Sequence, residues 1–177
     1  GNDGDFSKDN LVQRINSDLS NNLGNLFQRV ITFCIKNCEG KIPMHNNKLN
    51  EDDLVIINSF KSELNDIRYL IDYQKLDDVL KLIWTKISNS NKYIDEQAPW
   101  TLKNTNLDRM YVVIYCLIES LRQIAILIQP FTPNTSSKML DTLSIKKEFR
   151  TFKNLNDRIE PNSVLNKPQQ LFPRINA

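Results

Sequence analysis

Glycine and proline are scarce in the first half of this sequence: the 177 residues include 4 glycines and 7 prolines, and most of the prolines lie after residue 98. Because both residue types interrupt regular backbone structure, this distribution favours long helices first and a looser second half. No alternation typical of strands and no internal repeat is found. The sequence therefore predicts an all-α antiparallel bundle of about four to five helices with an extended C-terminal tail.

Residues that commonly carry catalysis or metals are also few. His45 is the single histidine, and the sequence has no glycine-rich phosphate loop, no His-Glu metal helix and no nucleophile elbow. We therefore expect no catalytic residue in this chain. The three cysteines, Cys34, Cys38 and Cys116, lack the paired spacing of a zinc site, so we predict buried, reduced thiols, no metal site and a cytoplasmic protein.

The net charge of the chain and the lengths of its apolar runs are both moderate. The net charge of +2 is small for a protein that neutralises many phosphates, but it is compatible with one that binds a few unpaired bases. We find no signal peptide and, by inspection, no apolar run that approaches a membrane span. The chain begins at Gly1 without an initiator methionine, so we expect a piece of a longer protein. We predict one domain over residues 1–177, with the bundle at about 7–143 and a C-terminal helix and tail at 144–177.

Apolar residues at three- and four-residue steps indicate where the helices lie. The acidic segment after Asn50 predicts a capped helix start. The segment 107–128 is apolar almost all round and should be the most buried helix. The predicted helices cover residues 7–37, 50–71, 76–98, 107–128 and 134–143.

The segment Asn91–Trp100 combines a helix end with a large aromatic ring. Pro99 ends the helical pattern and restricts Ala98, and Trp100 follows immediately. An indole that a rigid turn holds in a polar neighbourhood is a good platform for stacking on a base. From the pattern alone, however, a tryptophan after a proline more often packs at a helix end, and Trp84 is predicted to be core or core edge.

A polar strip on the first predicted helix flanks the apolar stripe. Its members recur at steps of four, three and four, which places them on one side of a helix: Asp18, Asn22, Asn25 and Arg29. An amide offers both a donor and an acceptor to a base edge, and a guanidinium offers a fork of donors. Such a strip is usually a solvated face when nothing else supports a site.

The order of several segments resembles the anticodon-binding domain of bacterial methionyl-tRNA synthetases. The matching segments are Gly1–Ser7, Asp18–Arg29, Asn91–Trp100 and Leu171–Ile175. The resemblance implies that Asn25 and Arg29 hydrogen-bond anticodon bases, that Trp100 stacks on the first base, a cytosine, and that Pro99 fixes the ring.

The resemblance also implies partners and cofactors. The partners would be the CAU anticodon loop of methionine tRNA and a catalytic domain of the same polypeptide, with no membrane and no DNA. The parent enzyme would attach methionine to tRNA with ATP and magnesium bound by that catalytic domain, so we expect no cofactor in this chain.

Two alternatives stay open at this point. The equivalent helical domain of a valyl, isoleucyl, leucyl or cysteinyl synthetase would share the bundle. A helical protein interaction module without an RNA role would fit the composition equally well.

Overall fold

The protein is a bundle of helices. The computed structural model describes residues 22–46, 48–60 and 64–171. Within them the chain forms seven α-helices and two short 3-10 helices, at Lys147–Phe149 and Phe152–Asn156. The α-helices are α1 (Asn25–Asn37), α2 (Glu51–Asn58), α3 (Leu64–Asp72), α4 (Leu76–Gln97), α5 (Pro99–Thr105), α6 (Leu107–Leu127) and α7 (Pro133–Thr142). The predicted all-α bundle is confirmed, although it has more helices than predicted.

Helix α6 forms the centre of the bundle. It packs against α1, α2, α4, α5 and α7, and its residues from Val112 to Leu127 are all buried. By length and composition α6 could cross a membrane, so our expectation that no apolar run approaches that length is wrong for this segment. However, 94% of its most apolar window is buried inside the protein, which confirms α6 as the most buried helix.

The first two predicted helices differ from the structure in their extent. Residues 22–24 form a π-helical turn that leads into α1, while residues 7–21 of the predicted helix lie outside the described residues. The predicted helix over 50–71 is in fact two helices, α2 and α3. Apolar residues on both helices, such as Ile57 and Ile67, keep helical spacing and are buried, so periodicity alone could not show the interruption.

The predicted helix start at Asn50 is confirmed. The side chain of Asn50 accepts a hydrogen bond from the backbone nitrogen of Asp53 at 2.9 Å, and the Asp53 carboxylate accepts one from the backbone nitrogen of Asn50 at 2.9 Å. This reciprocal capping box satisfies two backbone donors that the helix itself leaves unpaired. It also fixes the Asp53 side chain at the start of α2.

The segment after α4 was predicted to be a turn, but it forms a further helix. α4 ends at Gln97, and Ala98 is left-handed, with φ 43° and ψ 62°. Pro99 is the first residue of α5, where its missing N–H has no helical partner to lose. Pro99 therefore ends one helix and begins the next, and Trp100 lies in the first turn of α5.

The predicted extended tail packs against the bundle. Backbone hydrogen bonds join Ile42 to Ser163 at 2.9 Å and Leu165 to Gly40 at 2.8 Å, beside an antiparallel bridge between Lys41 and Val164. The predicted C-terminal helix near residues 147–152 is present only as the two 3-10 helices. Leu171 is buried, while the rest of the predicted terminal motif, residues 172–175, lies outside the described residues.

A buried carboxylate on α6 links the tail to the bundle. Glu119 is fully buried and accepts hydrogen bonds from Arg122 at 2.8 and 2.9 Å and from the backbone nitrogen of Ile159 at 3.0 Å. Arg122 in turn donates to the backbone oxygens of Asn154 and Asp157 at 2.8 and 2.7 Å. Glu119 and Arg122 thus neutralise each other's charge, and together they provide hydrogen-bond partners for backbone atoms of the tail.

We predict that Glu119→Ala lowers the free energy of unfolding by about 3–5 kcal/mol, because it leaves Arg122 buried without its carboxylate. Urea denaturation measures this change. Glu96→Ala is the control, since Glu96 pairs with Lys92 at 3.6 Å in an exposed position and should be nearly neutral. A Glu119→Ala variant as stable as the control would contradict the assigned role.

Candidate nucleic-acid interface

Two predicted site residues from distant parts of the chain, Arg29 and Trp100, meet at one surface beside Asp95. Arg29 on α1 donates to the carboxylate of Asp95 at 2.6 Å, and its guanidinium carbon lies 5.5 Å from the centroid of the Trp100 ring. We call Arg29, Asp95 and Trp100 the platform cluster. Trp100 is 43% exposed, so part of the ring is available to a ligand.

The contacts within the platform cluster are weak enough for contacts with a ligand to replace them. The Arg29–Asp95 pair is exposed, at 41% and 62% of the two side chains, and such pairs typically contribute about 0.2–1 kcal/mol. A guanidinium over an exposed aromatic ring adds about 0.5–1 kcal/mol. Arg29 is therefore positioned by its neighbours without being locked to them.

The other predicted site residues lie around this cluster. Asn25 is the first residue of α1 and is exposed, and within the described part of the chain its side chain makes no hydrogen bond. It precedes Arg29 by one turn, which places both on one face of the helix. Pro99 is buried, so its role is to set the direction of the backbone that leads to Trp100. Asp18 lies outside the described residues.

A groove lies between the turn that leads into α1 and the middle of α4. It has a volume of about 300 Å³ and is lined by Asn22, Trp84, Ile87, Ser88 and Asn91. We call it the α1–α4 groove. Trp84 is partly buried against the core, as predicted, and it also lines this groove.

Sequence reasoning missed the contribution of α4. Ser88, Asn91 and Asp95 follow one another at steps of three and four, so a polar strip on this helix was visible in the sequence. Its pairing with the strip on α1 was not visible, since Arg29 and Asp95 are 66 positions apart. Only the packing of α1 against α4 brings the two strips together.

A second, more buried network includes Gln97, the last residue of α4, and sequence reasoning missed it. The guanidinium of Arg109 donates to both carboxylate oxygens of Asp53, at 2.6 and 2.9 Å, and to the side-chain oxygen of Gln97, at 3.2 and 2.6 Å. The hydroxyl of Tyr93 also donates to Asp53. We call Asp53, Tyr93, Gln97 and Arg109 the Arg109 bridge.

Hydrogen bonding keeps Asp53 ionised in this network. Burial alone would raise the pKa of Asp53, but hydrogen bonds from Arg109, Tyr93 and the backbone of Asn50 together hold it below its ordinary value. Burial, and to a lesser degree the neighbouring Cys116 and Asp53, raise the pKa of Tyr93, so its hydroxyl stays protonated and can donate. The Arg109 bridge is therefore a charged pair whose polar atoms are satisfied.

Cys116 borders the Arg109 bridge through Tyr93, whereas Cys34 and His45 contact other residues. Cys34, Cys38 and Cys116 are buried, as predicted, and the Cys34 thiol donates to the backbone oxygen of Lys41 at 3.3 Å. The ring of His45 packs 4.5 Å from that of Tyr115. Over the described residues, no three His, Cys, Asp or Glu side chains are grouped closely enough to hold a metal ion.

We predict that Asp53→Asn makes stability less dependent on pH in acid. A pKa below the unfolded value means that ionised Asp53 stabilises the fold above its ordinary pKa of 3.8, and that this contribution is lost as the pH falls through the folded pKa. The variant should therefore be less stable at neutral pH and closer to the unsubstituted protein in acid. Thermal unfolding between neutral pH and pH 3 measures the difference.

Asp52→Asn provides the control for this comparison, because Asp52 is an exposed carboxylate in the same helical turn. It tests whether losing any acid at the start of α2 has the same effect. Parallel pH curves for Asp53→Asn and the unsubstituted protein would contradict the prediction.

Comparison with known proteins gives a consistent result. A family described as the anticodon binding domain of methionyl tRNA ligase matches residues 40–177. This range includes Pro99 and Trp100, whereas Asn25 and Arg29 lie before it. The methionine–tRNA ligase of Rickettsia prowazekii is 38% identical over 99% of this chain, and that of Brucella suis is 37% identical over 98%.

Solved structures show the same relationship. The free methionyl-tRNA synthetase of Mycobacterium tuberculosis superposes with a TM-score of 0.90 and 32% sequence identity, over 97% of this chain. The chain spans about a third of the length of these relatives, 35% of both the Rickettsia and the Mycobacterium proteins. The similarity therefore concerns one part of a longer enzyme.

Proposed function

Because this chain belongs to the family of anticodon-binding domains of methionyl-tRNA ligases, we propose that it binds the CAU anticodon of methionine tRNA through the platform cluster. The observation that carries the proposal is the contact between Arg29 and Trp100, whose centres lie 5.5 Å apart although the residues are distant in sequence. A charged donor beside an exposed indole can serve both the edge and the face of an unpaired base.

Trp100 provides the stacking surface in this proposal. Its ring is partly exposed, while Pro99, the first residue of α5, is buried. Stacking of a base on an aromatic ring contributes about 1–3 kcal/mol and hardly distinguishes one base from another. Discrimination therefore has to come from polar groups near the ring.

Arg29 and Asn25 provide the polar contacts. Arg29 is held over the ring by an exposed pair with Asp95, so it can turn to a base carbonyl or a phosphate when the base takes its place on the ring. Asn25 is exposed one turn away and carries a donor and an acceptor on one amide. A wrong base leaves such groups unpaired, which costs about 1–3 kcal/mol for each group.

The α1–α4 groove extends this surface along α4. It is lined mainly by the kinds of groups that bind unpaired bases, an indole together with amide and hydroxyl side chains, from Trp84, Asn22, Ser88 and Asn91. Asn91 donates to the backbone oxygen of Ile87 at 3.1 Å, which leaves its side-chain oxygen as an acceptor. We assign the groove to the anticodon bases that follow the first.

The proposal extends to the parent protein. The longer polypeptide would attach methionine to its tRNA in the cytoplasm, with ATP and magnesium bound by a catalytic domain outside this chain. The similar proteins are methionine enzymes three times as long, which supports this assignment. Neither another class I synthetase nor a protein interaction module is favoured by these similarities.

We predict that Trp100→Ala weakens binding of a CAU anticodon hairpin by about 1–3 kcal/mol, through loss of the stacking surface. Fluorescence anisotropy of a labelled hairpin measures the affinity at fixed salt, because phosphate contacts make it salt-dependent. Asn25→Ala and Arg29→Lys should instead reduce the preference for CAU over hairpins with one changed anticodon base.

Phe149→Ala is the matched control, since Phe149 is exposed to 51% on a 3-10 helix of the C-terminal segment. It should bind like the unsubstituted chain. Equal affinity for CAU and changed hairpins, or no binding to any hairpin, would overturn the proposed function of this chain.

A further inference from the structure

Arg109 joins the two ends of the segment that carries Trp100, because it directly follows the segment and its side chain contacts the residue that precedes it. It is the third residue of α6, and two of its N–H groups donate to the side-chain oxygen of Gln97, the last residue of α4, at 3.2 and 2.6 Å. The intervening residues 98–108 include the left-handed turn and the whole of α5. The Arg109–Gln97 contact therefore closes a loop around Pro99 and Trp100.

Arg109 is itself held firmly. Its bidentate pair with Asp53 is largely buried, at 18% exposure for Arg109 and 0% for Asp53. Asp53 is fixed in turn by Tyr93 and by the capping box at Asn50. Tyr93 and Gln97 lie one turn apart on α4, so the bridge contacts two successive turns of that helix.

The backbone between these contacts is strained. Ala98 has a positive φ of 43°, a region that residues with a side chain rarely occupy. Such a conformation persists where the surrounding structure determines it from several sides. A rotation at Ala98 would move α5 and with it the ring of Trp100, and the Arg109 bridge joins the two sides of this turn.

We propose that Arg109, held by Asp53, is a positioning residue that sets the orientation of Trp100 through Gln97 and so controls selectivity for the first anticodon base. This inference rests on the proposed function. The arrangement separates two roles: the exposed platform cluster contacts RNA, and the Arg109 bridge holds the ring where a base can stack between it and the polar groups. A Trp100 ring that turned away would still stack on bases, but the stacked base would no longer face Arg29 and Asn25.

Two substitutions remove the bridge in different ways. Gln97→Met keeps the length of the side chain and the Asp53–Arg109 pair but removes the acceptor, so it should affect folding little. Arg109→Lys keeps the charge but cannot donate to Asp53 and Gln97 through a planar fork. Arg150→Lys is the matched control, because Arg150 donates to Asp141 and to the backbone oxygen of Ile145, neither of them on α4 or α5.

The first measurement uses the chain without RNA. In a Trp84→Phe background Trp100 is the only tryptophan, so its time-resolved fluorescence anisotropy reports the motion of the ring alone. Gln97→Met and Arg109→Lys should increase that motion at a temperature where circular dichroism shows the chain folded, and Arg150→Lys should not. A merely structural role would lower the unfolding temperature and leave the motion of the ring unchanged.

The second measurement is a double-mutant cycle with anticodon hairpins. Gln97→Met and Arg109→Lys should each reduce the preference for CAU over a hairpin changed at the first base, on the order of tenfold, a size common for contacting residues. In a Trp100→Ala background the same substitutions should have no further effect, because the ring they position is absent.

The outcomes separate the inference from the function on which it rests. If Trp100→Ala itself leaves hairpin binding unchanged, the proposed function fails. If Trp100→Ala weakens binding but the bridge variants bind and discriminate like the unsubstituted chain, the inference is overturned and the function stands. Equal losses from the bridge variants with and without Trp100 would also overturn it, since the bridge would then act elsewhere.

Discussion

The complete burial of α6 is the constraint on which the rest of the structure depends. A helix that is apolar almost all round must be covered on every side, and five other helices and the C-terminal segment provide that cover. The few polar residues of α6 then become anchors, because a buried charge has to be paired. Glu119 and Arg122 link the helix to the tail, and Arg109 links its start to α2 and to the end of α4.

The candidate interface combines a rigid support with adaptable contacts, and burial explains the difference. Arg109 donates two hydrogen bonds to the buried carboxylate of Asp53, where such contacts are strong and their loss is costly. Arg29 and Asp95 form a similar pair in water, where it contributes little and can be exchanged for a ligand. Recognition of an unpaired base needs both properties: a ring that stays in place and polar groups that can leave their partners.

Part of the interface could be predicted from the sequence, and there are physical reasons why the other residues could not. Trp100 after Pro99 and the Asn25–Arg29 spacing are local patterns, and both indicated residues that the structure places on one surface. Arg109 gave no such signal, since an arginine in the first turn of a helix is usually solvated. Its role depends on partners on two other helices, which periodicity cannot identify. The site assignments of Asn25, Arg29, Pro99 and Trp100 stay predictions until binding is measured.

The amino-acid sequence by itself determined the local features: the all-α class, the capped start at Asn50, the end of α4 before Pro99 and the burial of α6. Each of these follows from the period of apolar residues, from side-chain capping or from the missing N–H of proline, which act over a few residues. Only the tertiary structure decided that α5 forms after Ala98, that one predicted helix is α2 and α3, and that α1 meets α4 at the platform cluster. These outcomes depend on contacts between residues far apart in the chain, and no local pattern encodes them.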